Sequence, residues 1–91
     1  MSDTPATITI YSRSWCSYCA AAKALLAKKG AEFEEIDIEA VPGARAQMLE
    51  RAAGRTSVPQ IFIGDTHVGG YDEMAGLERQ GRLDTLLAGG V

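Results

Sequence analysis

The chain has 91 residues, 46% hydrophobic and 23% charged, the balance of one ordinary globular domain over residues 1–91 and not of a disordered or fibrous chain. A net charge of −3 excludes the basic surface that non-specific nucleic-acid binding needs, and no apolar run reaches the ~20 residues of a bilayer span. The two cysteines stand three positions apart and close too short a loop to constrain the unfolded chain, so their purpose is chemical and not structural.

In chain order, Met1-Ser2-Asp3-Thr4-Pro5 has neither the basic start nor the apolar stretch of a secretory signal, and a cytoplasmic location is expected. There thiols are kept reduced, and a Cys-x-x-Cys pair is more often redox-active or metal-binding than a static bridge. Thr7-Ile8-Thr9-Ile10-Tyr11 alternates and is rich in β-branched residues, which predicts a strand. Ser17 to Lys29 is dominated by Ala, Leu and Lys, with Ala22, Leu25 and Leu26 at helical spacing and Gly30 as a stop. Glu34 to Ile38 reads as a second strand, with Ile36 and Ile38 on one face and Glu35 and Asp37 on the other. After Val41-Pro42-Gly43, a helix over Ala44 to Ala53 buries Met48, Leu49 and Ala52 and ends at Gly54. Gln60-Ile61-Phe62-Ile63 is apolar enough for a central strand, and Gly64-Asp65 turns it into Thr66-His67-Val68 as a hairpin. A third helix around Asp72 to Gln80 follows Gly69-Gly70, and Leu83, Leu86 and Leu87 form a last amphipathic turn. The order β-α-β-α-β-β-α predicts an α/β domain, a mixed four-stranded sheet flanked by helices.

The dithiol Cys16-Ser17-Tyr18-Cys19 falls where the first strand ends and the first helix begins. Unpaired N–H groups and the positive dipole end of a helix stabilise an anion there, so a Cys16 thiolate is favoured and its pKa is expected below the free value of about 8.5. Arg13 adds positive charge three residues upstream. Cys19 lies one turn further on the same side, deeper in an apolar helix, and suits a resolving thiol. Zinc needs four ligands and finds only His67 beyond the two cysteines, so no metal site is expected. His67 itself reads as an ordinary exposed side chain with no partner, and Trp15 as either a substrate-facing surface or a loop anchor.

Three segments in this order resemble the dithiol glutaredoxins. They are Tyr11 to Cys19, Thr56-Ser57-Val58-Pro59-Gln60-Ile61-Phe62-Ile63 and Gly69-Gly70-Tyr71-Asp72, and the likeness runs from about Ile8 to Leu87. The resemblance implies a thioredoxin-like fold and a glutathione-dependent thiol–disulfide oxidoreductase that acts on disulfide-bonded or glutathionylated proteins, as a monomer. It implies Cys16 and Cys19 as the catalytic pair and a cis Val58–Pro59 bond. Its glutathione-binding residues correspond to Arg13, Tyr18, Ser57, Val58, Pro59, Gly70, Tyr71 and Asp72. In that scheme the Val58 backbone pairs with the cysteine of glutathione. The helix start at Gly70-Tyr71-Asp72 takes the glutamyl carboxylate, Asp72 its ammonium group, and Arg13 the glycine carboxylate. Asp72 also suits a plain helix cap. This chain departs from the family at Ser17, where proline is usual, at Arg13 for lysine, and at the bulky Tyr71. Ala46, flanked by Arg45 and Gln47, stands where the family often has a glutathione-touching Gln or Arg. Some members resembling Trp15-Cys16-Ser17-Tyr18-Cys19 bridge a [2Fe–2S] cluster between two chains, an alternative in which Cys16 is a ligand. A thioredoxin, reduced by a flavoprotein, is a third reading that Trp15 favours and Tyr18 and the Gly-Gly-Tyr-Asp turn oppose.

Overall fold

The computed structural model describes residues 6–89; Met1–Pro5, read above as carrying no secretory signal, lie outside them. The elements are β1 (Ile8–Ser12), α1 (Ser17–Lys28), β2 (Glu34–Asp37), α2 (Ala44–Arg51), β3 (Gln60–Ile63), β4 (Thr66–Gly69), α3 (Tyr71–Arg79) and α4 (Leu83–Leu87). The sheet has the order β2-β1-β3-β4, with β1 parallel to β2 and antiparallel to β3, and β3 antiparallel to β4. This is the mixed four-stranded sheet of a thioredoxin-like fold.

The two central strands are buried on both faces, and their period of two sorts their side chains into two cores. Ile8, Ile10, Ile61 and Ile63 point to one side, where they pack with Ala22 and Leu26 of α1, Met74 of α3 and Leu83 of α4. Tyr11 and Phe62 point to the other, against Ala44, Met48 and Ala52 at α2. As expected, Met48 and Ala52 are fully buried, while Leu49 is only partly so.

Helix ends follow their glycines. Gly30 adopts φ 70° and Gly81 φ 71°, a left-handed conformation that costs glycine no Cβ clash. After α1, Gly30 N–H donates to Ala27 O at 2.9 Å and Ala31 N–H to Leu26 O at 3.0 Å. After α3, Gly81 and Arg82 repeat the pattern onto Glu78 O and Leu77 O, which satisfies the last helical carbonyls. The stop at Gly81 makes the last amphipathic turn a separate helix, α4. Lys29 ties these ends together, 2.7 Å from Glu78 and 3.0 Å from Asp84. Among the described residues no helix is long and apolar enough to cross a membrane.

Leu26 has no exposed surface and joins the larger core from the last turn of α1, the longest helix among the described residues. Leu26→Ala is expected to lower unfolding free energy by about 2–5 kcal/mol, measured as a drop in urea midpoint at unchanged slope.

Candidate active site

Cys16 is the N-cap of α1 and has extended backbone (φ −110°, ψ 106°). Its carbonyl accepts the first helical bond, from Ala20 N–H at 3.0 Å, and its Sγ accepts the N–H of Cys19 at 3.1 Å. The sulfur thus does the work that a serine or aspartate oxygen does at other helix starts. A residue with an N–H at position 17 leaves one more unpaired donor at this end than proline would. Cys16 is half-buried and Cys19 only 1% exposed, and the two are joined as a disulfide across one helical turn.

The loop before α1 carries Trp15 at φ 61°, a backbone conformation rare outside glycine, and its indole is 100% exposed. That exposure disposes of the anchor reading for Trp15. Arg13 is exposed just past β1 and lines a cavity of about 490 Å3 together with Cys16, Lys23, Glu35 and Asp37. On the wall of this cavity, Glu35 accepts from Lys23 Nζ at 2.8 Å and from Ser12 Oγ at 2.7 Å. These two bonds, Lys23 first, hold the Glu35 carboxyl below its usual range.

The segment before β3 faces the dithiol from the other side. The Val58–Pro59 bond is cis, as the resemblance implied, and the Val58 carbonyl lies 3.8 Å from Cys16 Sγ. Val58 is half-buried and Pro59 buried, whereas Ser57 is exposed. Gly70, the N-cap of α3, is close by: a Cβ built there would lie 3.5 Å from Pro59 O. Tyr18 of α1 and Tyr71 of α3 lie with ring centroids 6.4 Å apart, and Tyr18 is 59% exposed. Asp72 is exposed at the second position of α3. Pairwise contacts therefore link Cys16 to Cys19 and Val58, Pro59 to Gly70, and Tyr18 to Tyr71 near the starts of α1 and α3, while Arg13 lines the cavity beside Cys16.

Two features escape a reading of the sequence alone. The first is Glu73, whose carboxylate accepts the Gly70 N–H at 2.6 Å. This is half of a capping box, and the spacing of Glu73 from Gly70 is its signal. It occupies the Gly70 amide, so the donors left without a helical bond are Tyr71, Asp72 and Glu73, ahead of Met74 N–H to Gly70 O at 3.1 Å. The second is His67, expected to be exposed and without a partner. It is half-buried, stacked on Phe62 at 4.7 Å, and its Nε2 lies 2.6 Å from Gln60 Oε1. The strand register that pairs Phe62 with His67 explains the correction. Gln47, beside the family's contact position, is engaged elsewhere, accepting from Tyr11 OH at 2.6 Å. Among the described residues no group of three or more His, Cys, Asp or Glu is placed to hold a metal ion.

The sequence profile described as Glutaredoxin matches residues 8–68. The glutaredoxin of Pseudomonas aeruginosa is 53% identical over 81 residues, which span 89% of this chain and 95% of that protein. The solution structure of glutaredoxin from Brucella melitensis superposes with a TM-score of 0.79 at 55% identity, covering 96% of this chain and 95% of that one. The crystal structure of the buckwheat glutaredoxin–glutathione complex gives a TM-score of 0.82 at 28% identity, over 94% of this chain and 82% of that one. This fold with this dithiol defines a thioredoxin-like thiol–disulfide oxidoreductase. The chain belongs to the glutaredoxin family.

Burial, with Arg55 and Arg51 nearby, lowers the His67 pKa from its usual 6.5 against the opposing pull of Glu73. The folded chain resists protonating this ring, so the His67 contribution to stability is full above pH 6.5 and declines as pH falls through the folded pKa. As the chain has a single histidine, its ring proton titrates alone in an NMR spectrum, and the expected midpoint lies below 6.5.

Proposed function

We propose that the chain, acting through residues 1–91 as one monomeric cytoplasmic unit, reduces disulfides and glutathionylated proteins at the expense of glutathione. The observation that carries this reading is Cys16 at the N-cap of α1, its sulfur accepting the Cys19 N–H at 3.1 Å and lying 3.8 Å from the Val58 carbonyl. A thiolate there keeps that hydrogen bond and gains the helix-start field, which lowers the cost of ionisation at neutral pH.

In the first step the Cys16 thiolate attacks one sulfur of the substrate disulfide. A Cys16–sulfur bond forms, the substrate S–S bond breaks, and the other sulfur leaves as a thiolate that takes a proton from water. If glutathione is the half retained on Cys16, a second glutathione thiolate attacks its sulfur, giving oxidised glutathione and returning the Cys16 thiolate. If a protein cysteine is retained, Cys19 attacks Cys16 Sγ, releases the reduced protein and leaves the Cys16–Cys19 disulfide, the bond present in the structure. Two glutathione molecules then reduce it. Burial of Cys19 supports this division, because the resolving thiol needs to reach only Cys16.

Glutathione would lie beside Cys16 between the starts of α1 and α3, and the buckwheat complex, similar in fold, carries it. An extended tripeptide would pair with the Val58 backbone beside Ser57 and Pro59, with its glutamyl carboxylate on the Tyr71 and Asp72 amides and its ammonium on Asp72. Tyr18 and Tyr71 form the wall, Gly70 leaves room for the backbone, and Arg13 attracts the glycine carboxylate. A second reading, a [2Fe–2S] cluster between two chains, rests on the accessible rim of Cys16 formed by the exposed Trp15 and Tyr18. With one accessible sulfur per chain, two chains and two glutathione thiolates would be needed.

Cys16→Ser is expected to reduce turnover of a glutathionylated peptide to the uncatalysed level in a glutathione-coupled assay. Cys19→Ser is expected to keep that turnover at the wild-type order of magnitude while losing reduction of a protein disulfide substrate; equal loss of both activities sinks the division of labour. Asp72→Asn should raise KM for the glutathionylated peptide about tenfold, the loss of one charged hydrogen bond of ~1.5 kcal/mol. Purification without oxygen and with glutathione separates the readings: a colourless monomer supports the reductase alone, a brown dimer the cluster.

A further inference from the structure

Gln60 is fully buried at the first position of β3, and the exchange chemistry gives it no task. Both ends of its side-chain amide are used. Nε2 donates to the Ser57 carbonyl at 2.9 Å and to Ser57 Oγ at 3.1 Å, while Oε1 lies 2.6 Å from His67 Nε2. A carbonyl oxygen only accepts, so the Ser57 carbonyl fixes which end of the amide is nitrogen. The other end is then an acceptor, and His67 must present an N–H at Nε2. The imidazole is itself held by stacking on Phe62 with planes 16° apart. A line of contacts thus runs from Phe62 through His67 and Gln60 to Ser57. The residue after Ser57 is Val58, whose carbonyl lies 3.8 Å from Cys16 Sγ.

We propose that Gln60 and His67 are positioning residues for disulfide exchange, fixing the Ser57–Val58 backbone opposite Cys16 so that the glutathione half of a substrate docks in register. The proposal rests on the glutathione reading above and names the side chains that keep its berth in shape. His67 holds Gln60, and Gln60 holds both the carbonyl and the hydroxyl of Ser57. Breaking either link leaves a buried polar group unpaired or frees the segment to drift.

The test compares the full-length chain with Gln60→Met, His67→Phe and His67→Gln. Methionine keeps the shape of Gln60 without donors, phenylalanine keeps the stack on Phe62 without an N–H, and glutamine restores a donor near the Nε2 position. With a glutathionylated peptide as substrate, KM is expected to rise about tenfold in Gln60→Met and His67→Phe while kcat holds, and to return toward wild type in His67→Gln. Backbone 15N relaxation at Ser57 and Val58 should show lost order in the first two variants alone. Unchanged KM and unchanged order in folded Gln60→Met and His67→Phe would overturn the proposal, as would a His67→Gln chain no better than His67→Phe. Should Gln60→Met not fold, the His67 pair decides. Should the unsubstituted chain fail to turn over the glutathionylated peptide, the glutathione reading falls, and the relaxation of Ser57 and Val58 still decides whether these side chains fix the segment.

Discussion

β1 and β3 run antiparallel with Ile8 opposite Ile63 and Tyr11 opposite Gln60, and everything at the site inherits that register. It brings the exit of the first strand beside the entrance of the third, so the loop to Cys16 and the segment ending in Pro59 meet although 42 positions separate Cys16 from Val58. A slip of one residue would exchange the faces of Ile10 and Tyr11 and send every side chain of the pair into the wrong core. Because both faces of both strands are buried, such a slip is costly and the meeting point is fixed.

On that foundation two helices begin side by side. One starts with a sulfur as its cap, the other with Gly70, whose amide is taken by Glu73. Each leaves first-turn backbone donors without a helical partner, so negative charge is favoured at both helix starts. Backbone supplies the field here, and local geometry refines it: the tyrosine pair links the two helix starts, and the Val58 carbonyl before the cis bond to Pro59 lies near the sulfur. The surroundings of Cys16 thus owe more to chain geometry than to any charged neighbour.

What could be read beforehand was what neighbours in sequence decide. Alternation marks Ile8 and Ile10, an apolar run marks Ile61 and Ile63, Gly30 and Gly54 mark the ends of the first two helices, and the position of Cys16 between a strand and a helix marks the dithiol. Gln60-Ile61-Phe62-Ile63 was found to the residue because an apolar run between Pro59 and Gly64 leaves little freedom. What was hidden depends on partners distant in the chain. His67 looks solitary until the hairpin lays it on Phe62 and Gln60, and Gln60 looks like the polar end of a strand until Ser57 turns back onto it. The left-handed backbone at Trp15 left no trace in local propensity, since tryptophan disfavours it and only the surrounding loop imposes it.

That loop has an optical consequence. The chain has one tryptophan, its indole stands wholly in water, and the residue after it is the sulfur that gains and loses a covalent bond. Disulfides quench excited indoles at short range, whereas solvent-exposed indoles emit at long wavelength. The oxidation state of the pair is therefore written into the brightness of a single native fluorophore, with no label attached.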